Sequence, residues 1–437
     1  MKILSRKNFI TTGDKKIIRG WLFFDWANSV FPLTISSTIF PVYYNTITTC
    51  GTNDVISFFG FKIINTVIYS WTIAFASLII AIFSPLFSSI ADYTGRRKLF
   101  MRIFTLIGAL SCGLLFFFTR DHIEFGIIAF LLGSIGYGGS IVFYNSFLPV
   151  IAEPKDQDRI SANGFAMGYS GAILLLIIDL SMVIKPEWFG MTKGLMPARV
   201  SFITVCVWWL AFSQITFSRL PKFTFGNRKK GESVLLKGYS ELQKVMNQIK
   251  QMPHLTIYLF GAFFMMTGLH AVLYMAATYG NKELKLSNSI LIGTILCIQL
   301  VGIGGAFLFA KLSEWFGNIR ALIIAVIFWI IVVIGAYYIT DATGFIIVAL
   351  CVGIVMGGTQ ALARSTYSKM LPETKDHTSF FSFYDVMEKL SIVLGTFSFG
   401  VIEVITGSMR HSVLAIILFF ITGLFFLGYL NKKMIKV

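Results

Sequence analysis

The sequence predicts an all-α membrane protein with twelve transmembrane helices in two six-helix bundles and with both termini in the cytoplasm. Three observations predict this fold class. Hydrophobic residues make up 56% of the 437 residues and charged residues only 13%, which is about half the usual share of a soluble domain. Apolar runs reach about 20 residues, the length that a helix needs to cross a bilayer. Basic residues concentrate in alternate connecting segments.

The same composition excludes several classes of protein. A net charge of +16 would suggest nucleic-acid binding in a soluble chain, but here it follows from cytoplasmic Lys and Arg, so no nucleic-acid partner is expected. The apolar runs do not alternate as the strands of a barrel would. The five cysteines have no metal-ligand spacing, and we expect neither a metal nor a cofactor. The first apolar run is too long for a cleavable signal peptide.

Twelve apolar runs are predicted as spans 1 to 12. The polar segment 221–254 divides them into an N-terminal bundle, 20–220, and a C-terminal bundle, 255–431, with cytoplasmic tails at 1–19 and 432–437. The predicted limits of the spans are 20–46, 66–91, 99–118, 124–149, 161–184, 199–220, 255–280, 286–310, 320–340, 344–367, 379–407 and 411–431.

The Lys and Arg residues set the predicted orientation. A cytoplasmic N-terminus puts most of the 37 Lys and Arg residues in inner segments, as the positive-inside rule requires, and it favours an even number of spans. Residues 235–251 of the linker have apolar side chains at helical spacing. This piece either lies along the membrane face or is a plain tether between the bundles.

Two short patterns recur in the two halves of the chain. An acid followed three residues later by glycine occurs at Asp92 and again at Glu314, and a Gly-Gly-hydroxyl triplet begins at Gly138 and again at Gly357. The two separations along the chain are nearly equal. A duplicated six-helix unit with parallel repeats explains this recurrence.

The connection between spans 2 and 3 carries the string Asp92-x-x-Gly95-Arg96-Arg97. Gly95 permits a tight turn, and Arg96 and Arg97 are expected to stay in water as positive-inside anchors. With the spans and their six-plus-six division, this string resembles the major facilitator superfamily of secondary transporters, although Ser88 stands where that pattern usually has glycine. The alternative is a loop that serves topology alone.

The resemblance implies a contact for this loop. In the superfamily, the acid of the loop faces the N-terminal end of the eleventh helix across the interface between the bundles, which here puts Asp92 near residues 378–381. Such a contact forms in one conformation and is lost in the other. The loop is therefore expected to act as a conformational switch in alternating access.

Four further strings lie in both halves of the chain. They are Trp21-x-x-x-Asp25-Trp26-Ala27-Asn28-Ser29, Ser161-x-x-Gly164-Phe165-Ala166-x-Gly168-Tyr169, Gly357-Gly358-Thr359-Gln360-Ala361-Leu362-x-Arg364-Ser365 and Phe381-x-Phe383-Tyr384. Together they resemble the vacuolar effluxer family tied to autophagy and its bacterial relatives. The resemblance implies a small-solute carrier, because yeast-type members are thought to release amino acids from the vacuole, but it does not settle the solute.

Charged residues inside spans are costly and are candidates for function. In span 11, Lys389 lies deep and Asp385 is one turn earlier, so the two form either a purely structural pair or a site where Lys389 holds a substrate carboxylate. Asp385 or Glu388 would then exchange a proton. Glu388 points away from Asp385 and needs another partner, and it stands where family members usually have a small residue.

Other polar residues of the spans are candidates with open alternatives. Asp25, with Asn28 on the same helix face, is either a gate or proton site or a surface group that pairs with a basic loop residue. Arg364 either clamps a carboxylate or snorkels to the membrane surface. Asp179 and Glu403 are expected at a solvated outer rim. Further candidates for binding or coupling, several on helices that line the cavity in the superfamily, are Tyr144, Asn145, His270, Tyr274, Gln299 and Gln360.

Together these features predict a secondary active transporter that moves an amino acid or related solute by alternating access with proton coupling. The chain has no phosphate-binding loop for ATP and no arrangement typical of an enzyme. Alternatives are sodium coupling, an exporter of drugs, peptides or other metabolites, and a receptor or scaffold without transport. We expect a monomer in a lipid bilayer, the bacterial inner membrane, with a small solute and protons as its other partners.

Overall fold

The computed structural model describes residues 12–49, 55–221 and 233–435, and most of this part is helical. Parts of the predicted tails and linker, residues 1–11, 222–232 and 436–437, lie outside the described residues, as do residues 50–54. The α-helices are α1 Lys15–Asn28, α2 Ile39–Thr48, α3 Asn65–Thr94, α4 Arg97–Leu114, α5 Ile123–Asn145, α6 Leu148–Ile151, α7 Gln157–Ile184, α8 Met196–Arg219, α9 Val234–Lys250, α10 Pro253–Lys282, α11 Asn288–Phe316, α12 Asn318–Tyr338, α13 Ala342–Met370, α14 His377–Thr406, α15 Met409–Ala415 and α16 Ile417–Ile435.

Eleven stretches of the described residues are long and apolar enough to cross a membrane. They correspond to predicted spans 2 to 12, and span 12 comprises the consecutive helices α15 and α16. Their ends differ from the predicted limits by a few residues in either direction: α10 reaches Lys282 where the sequence predicted 280, and α12 ends at Tyr338 where it predicted 340. The count of twelve spans and the cytoplasmic termini stay predictions.

Span 1 is built differently from the single α-helix that the sequence predicted. After α1, residues Phe31–Thr38 form a π-helix that continues into α2. Pro32 lies at its start and has no N–H to donate to the preceding turn. The hydroxyl of Thr38 donates to the Leu33 carbonyl at 2.7 Å, five residues earlier, which satisfies a carbonyl of the widened turns.

The apolar core is divided between the two halves of the chain. The largest buried cluster draws its members from residues 245–430, with Tyr169 as one addition from the N-terminal half. Two further clusters come from residues 27–209 and 21–220. The bounds of the two bundles stay predictions.

Contacts between the halves involve a few long helices. Helix α3 packs against α14, and α7 packs against α11 and α13. Glycines allow close helix approach within the C-terminal half, where a Cβ at Gly357 would meet the backbone of Gly302. The linker piece predicted at helical spacing forms α9, which contacts α3, α10 and α14.

A two-stranded hairpin that the sequence did not predict lies between spans 1 and 2. Its antiparallel strands are β1, Val55–Phe58, and β2, Phe61–Ile64. Phe59 and Gly60 form the turn with φ of 48° and 85°, the pair of positive values that a type I′ turn requires.

Candidate functional site

Arg364 of α13 is the centre of a buried polar network that joins the two halves of the chain. Its Nη1 lies 3.3 Å from Asp25 Oδ2 of α1 and 3.4 Å from Asn145 Oδ1 of α5. Its Nε donates to Ser161 Oγ and its Nη2 to the Ser161 carbonyl of α7, each at 2.9 Å. Arg364 is only 4% exposed, so the snorkelling alternative is wrong.

Aromatic rings enclose this guanidinium. Its carbon lies 4.3 Å from the ring centre of Phe165, 4.9 Å from Trp21 and 5.5 Å from Tyr144, within cation–π range. The Tyr144 hydroxyl donates to Asp25 Oδ2 at 2.6 Å. Asp25 therefore pairs with an arginine inside the spans, and not with a basic loop residue.

Glycines in α7 make room for this ion pair. A Cβ at Gly164 would lie 2.5 Å from Asp25 Oδ2 and 2.8 Å from Arg364 Nη2, and one at Gly168 would lie 2.5 Å from Ser29 Oγ. A larger residue at Gly164 would have to displace the pair. Ser161 and Gly164 of this string thus both lie against the Asp25–Arg364 pair.

The charged residues of α14 form a second cluster, in which Asp385 and Lys389 are buried and Glu388 is half-buried. Lys389 Nζ lies 3.4 Å from Asp385 Oδ1, the predicted pairing within the helix, and 3.7 Å from Glu388 Oε1. The amine therefore lies between both carboxylates, whereas the sequence suggested another partner for Glu388. Ser84 of α3 donates to Asp385 Oδ2 at 3.4 Å, and a Cβ at Gly138 of α5 would lie 3.5 Å from Lys389 Cε. The cluster thus touches both halves.

Asp92 contacts the start of α14, within the range implied by the resemblance. Its Oδ2 accepts from the backbone N–H of Ser379 at 2.7 Å and from the Ser379 hydroxyl at 2.8 Å. A carboxylate there is also stabilised by the positive end of the helix dipole. Gly95 ends α3 with φ of 68°, a left-handed conformation that glycine adopts without strain.

The two arginines of this loop differ. Arg96 is exposed as expected, but the prediction that Arg97 stays in water is wrong. Arg97 is buried, with its Nε 2.6 Å from Asp92 Oδ1, and it also donates to the Lys375 carbonyl. The negative charge of Asp92 can lie between the halves because this guanidinium balances it.

Asp376, just before α14, extends this cluster. Its Oδ2 lies 3.7 Å from Lys244 Nζ of α9. Burial raises the pKa of Asp376, and the neighbouring negative charge of Asp92 raises it further.

Asp158, in the first turn of α7, is a contact between the halves that the sequence analysis missed. Its Oδ2 accepts from Lys369 Nζ of α13 at 2.6 Å and from Ser313 Oγ of α11 at 2.8 Å. Its Oδ1 accepts from Asn318 Nδ2 at 2.7 Å. The only sequence signal is an acid at a helix start, which is common in any helix.

The structure describes no side-chain hydrogen bond that joins the remaining candidates to Arg364, Asp25, Asp385, Glu388 or Lys389. Gln360 Oε1 accepts from the Tyr169 hydroxyl at 2.8 Å, a bond between the halves. His270 Nδ1 lies 2.9 Å from Ser391 Oγ, and Tyr274 is partly exposed beside it. Among the described residues, Asn28 Nδ2 and Gln299 Oε1 are buried without a hydrogen-bond partner.

The expectation of a solvated rim is wrong for Asp179. This residue is 0% exposed, and its Oδ1 accepts from Thr204 Oγ1 of α8 at 2.6 Å. Glu403 is half-buried near the end of α14. Asp179 is buried because α7 packs against α8 at this point, and this packing could not be predicted from the sequence.

Comparison with known proteins identifies relatives along the whole chain. The family model described as "Vacuole effluxer Atg22 like" matches residues 13–436. "Uncharacterized MFS-type transporter YxiO" of Bacillus subtilis (strain 168) is 27% identical over 415 residues, which cover 94% of each chain. "Autophagy-related protein 22" of Kluyveromyces lactis is 22% identical over 474 residues, covering 95% of this chain and 93% of that relative.

Solved structures of major facilitator transporters share the fold. FucP in the outward conformation matches with a TM-score of 0.70 at 13% identity, over 95% of this chain and 98% of that chain. The proton:xylose symporter XylE matches with a TM-score of 0.72 at 13% identity, over 95% of each chain. The relatives are transporters and effluxers, not enzymes, as the sequence predicted. The chain belongs to the vacuole effluxer Atg22-like family and is a multi-pass membrane transporter with the major facilitator fold.

Proposed function

We propose that this transporter moves an amino acid or a related zwitterion by alternating access, coupled to protons. The observation that carries the proposal is the cluster of buried Lys389 and Asp385 with half-buried Glu388, which combines one cation with two carboxyl groups. Its neighbours Ser84 and Gly138 belong to the other half of the chain. A solute bound there would touch both halves, as alternating access requires.

The chemistry of the cluster suits a zwitterion. Lys389 is 7% exposed, and a buried ammonium offers a substrate carboxylate a strong charge-assisted hydrogen bond. A substrate ammonium would find its acceptors in Asp385 and Glu388. The Oδ1 of Asp385 is buried and lies 3.4 Å from Lys389 Nζ, so a substrate ammonium bound there would share this oxygen with Lys389. Two carboxylates and one ammonium leave the fully ionised cluster with one excess negative charge. One of the carboxyl groups can therefore bind a proton.

The contacts between the halves supply the gate. Arg364 with Asp25, Asp92 with Ser379, and Asp158 with Lys369 close the same end of the molecule. We infer that rocking of the two six-helix bundles, 20–220 and 255–431, breaks these contacts and opens this end. The predicted orientation makes it the cytoplasmic end, and a bacterial inner membrane is the expected location.

A thermal-shift screen of the purified transporter against amino acids, dipeptides, sugars and organic acids tests the solute class. A bound solute raises the melting temperature. Zwitterions are expected to raise it, whereas a response to sugars or lipophilic cations alone would contradict the proposed chemistry. Solute-dependent proton movement in proteoliposomes then tests coupling. Its absence across the panel would favour a receptor without transport.

Lys389→Gln tests the cluster itself. It is expected to weaken binding of the zwitterion about tenfold to a hundredfold, because hydrogen bonds to charged groups contribute about 1.5–3 kcal/mol. Lys311→Gln is the matched control, since Lys311 is an exposed lysine paired with Glu314 at 2.8 Å. Unchanged binding by the Lys389→Gln variant would mean that the cluster is only a structural ion pair and does not bind the solute.

A further inference from the structure

The linker helix α9 has two apolar faces, and the protein covers one of them. On the covered face, Val245 and Ile249 are buried, and a Cβ at Gly238 would lie 2.8 Å from Ile90 Cγ1 of α3. On the other face, Leu236 is 75% exposed and Tyr239 is 57% exposed. Met246, at 38% exposure, continues the same stripe at helical spacing.

We propose that this second face lies in the headgroup region of the bilayer and that Lys237 and Lys250 of α9 bind anionic phospholipids there. The depth of α9 supports this occupant. Helix α9 ends at Lys250, and α10 begins to cross the membrane at Pro253. It also packs near the end of α3, at Ile90. A helix at the ends of spanning helices lies at the level of the lipid headgroups, where amphipathic helices bury their apolar side chains.

The charge of the linker complements an anionic surface. Lys244 is paired with Glu241 at 3.3 Å and with Asp376 at 3.7 Å, and so belongs to the protein contact. Lys237 and the exposed Lys250 lie on α9 as well. Basic residues next to apolar ones are the pattern that recognises anionic lipid surfaces.

A docked α9 would stabilise the closed arrangement of the proposed gate. Lys244 joins α9 to Asp376, which directly precedes the turn of α14 that binds Asp92. A bilayer that holds α9 in place therefore favours the closed arrangement of this end.

Hydrogen exchange of the full-length transporter in nanodiscs tests the proposal. Discs of phosphatidylcholine alone are compared with discs that also contain phosphatidylglycerol. Backbone amides of α9 are expected to exchange more slowly in the anionic discs. Replacing Leu236, Tyr239 and Met246 together by Ser should remove this protection, while the amides of α3 and α10 keep theirs and report an intact fold.

The charge contribution has its own variant and control. Lys237→Gln with Lys250→Gln is expected to speed the exchange of α9 in anionic discs by about thirtyfold, because each lysine near such a surface contributes about a factor of five. Lys432→Gln with Lys433→Gln removes the same charge from the end of α16 and should leave α9 unchanged. Equal protection in both kinds of disc would refute the lipid assignment. Fast exchange of α9 in both kinds of disc would also refute it, and would indicate that the exposed face of α9 binds another protein.

Discussion

The ion pair between Asp25 and Arg364 is expected to hold one end of the transporter closed, and a double-mutant cycle of Asp25→Asn and Arg364→Gln measures it. Opposite charges at 3.3 Å attract by about 5 kcal/mol at an effective dielectric constant of about 20. Removing one partner leaves the other charge buried, at a cost of about 3–5 kcal/mol. Because the pair joins α1 to α13, this cost falls on the contact between the halves. A loss of about 4 kcal/mol shifts the equilibrium toward opening about a thousandfold.

Spin labels at residues 155 and 311, in a cysteine-free background, report the opening as a distance. Lys155 and Lys311 are exposed on the two halves, near the contacts of Asp158. Each single variant should add a population of molecules with a longer distance between the labels. In the double variant this population should be smaller than the two single effects combined predict, because no unpaired charge remains. Tyr144→Phe, which removes one hydrogen bond to the carboxylate, should have a smaller effect. An unchanged distance in Asp25→Asn, or strictly additive effects, would refute this account.

Two further predictions concern the neighbourhood of these contacts. Gly164→Ala places a methyl group 2.5 Å from Asp25 Oδ2 and should destabilise the closed state by about 1–3 kcal/mol, measured with the same labels. Gly304→Ala, with open space around its Cβ, is the control, and equal effects of the two would contradict the packing argument. Burial and Asp92 raise the pKa of Asp376, so its contribution to stability is present below the unfolded value of about 3.9 and is lost as pH rises through the folded value. Asp376→Asn should therefore match the parent's melting temperature at acidic pH and exceed it at neutral pH; a lower value at neutral pH would mean that the Lys244 ion pair outweighs burial.

The amino-acid sequence predicted the individual helices well because their signal is local. Apolar length identified eleven of the spans, and helical spacing identified α9. Pairing within one helix, as between Lys389 and Asp385, could also be predicted, since residues four apart lie on the same face. The break in span 1 was missed, although Pro32 marks it, because a proline predicts a disturbed turn and not the π-helix that follows.

Contacts between helices were less predictable because they depend on which faces meet. Asp25 and Arg364 were each candidates, but nothing in their spacing joins residues so far apart in the chain. Asp92 was placed near the start of α14 by the family resemblance, not by its own neighbours. Arg97 and Asp179 were expected in water but are buried. A charged residue near a helix end is usually exposed, and only the neighbouring helices show that these two are covered.

The sequence by itself determined that this chain crosses a membrane, where its helices lie and which polar residues stand inside them. Those properties follow from the free energy of moving each segment from water into hydrocarbon, which is a sum over neighbouring residues. Only the tertiary structure decided which charges of different helices neutralise each other. A buried charge is tolerated only with a partner at hydrogen-bonding distance, and for Asp25 and Asp158 the oppositely charged partner comes from the other half of the chain.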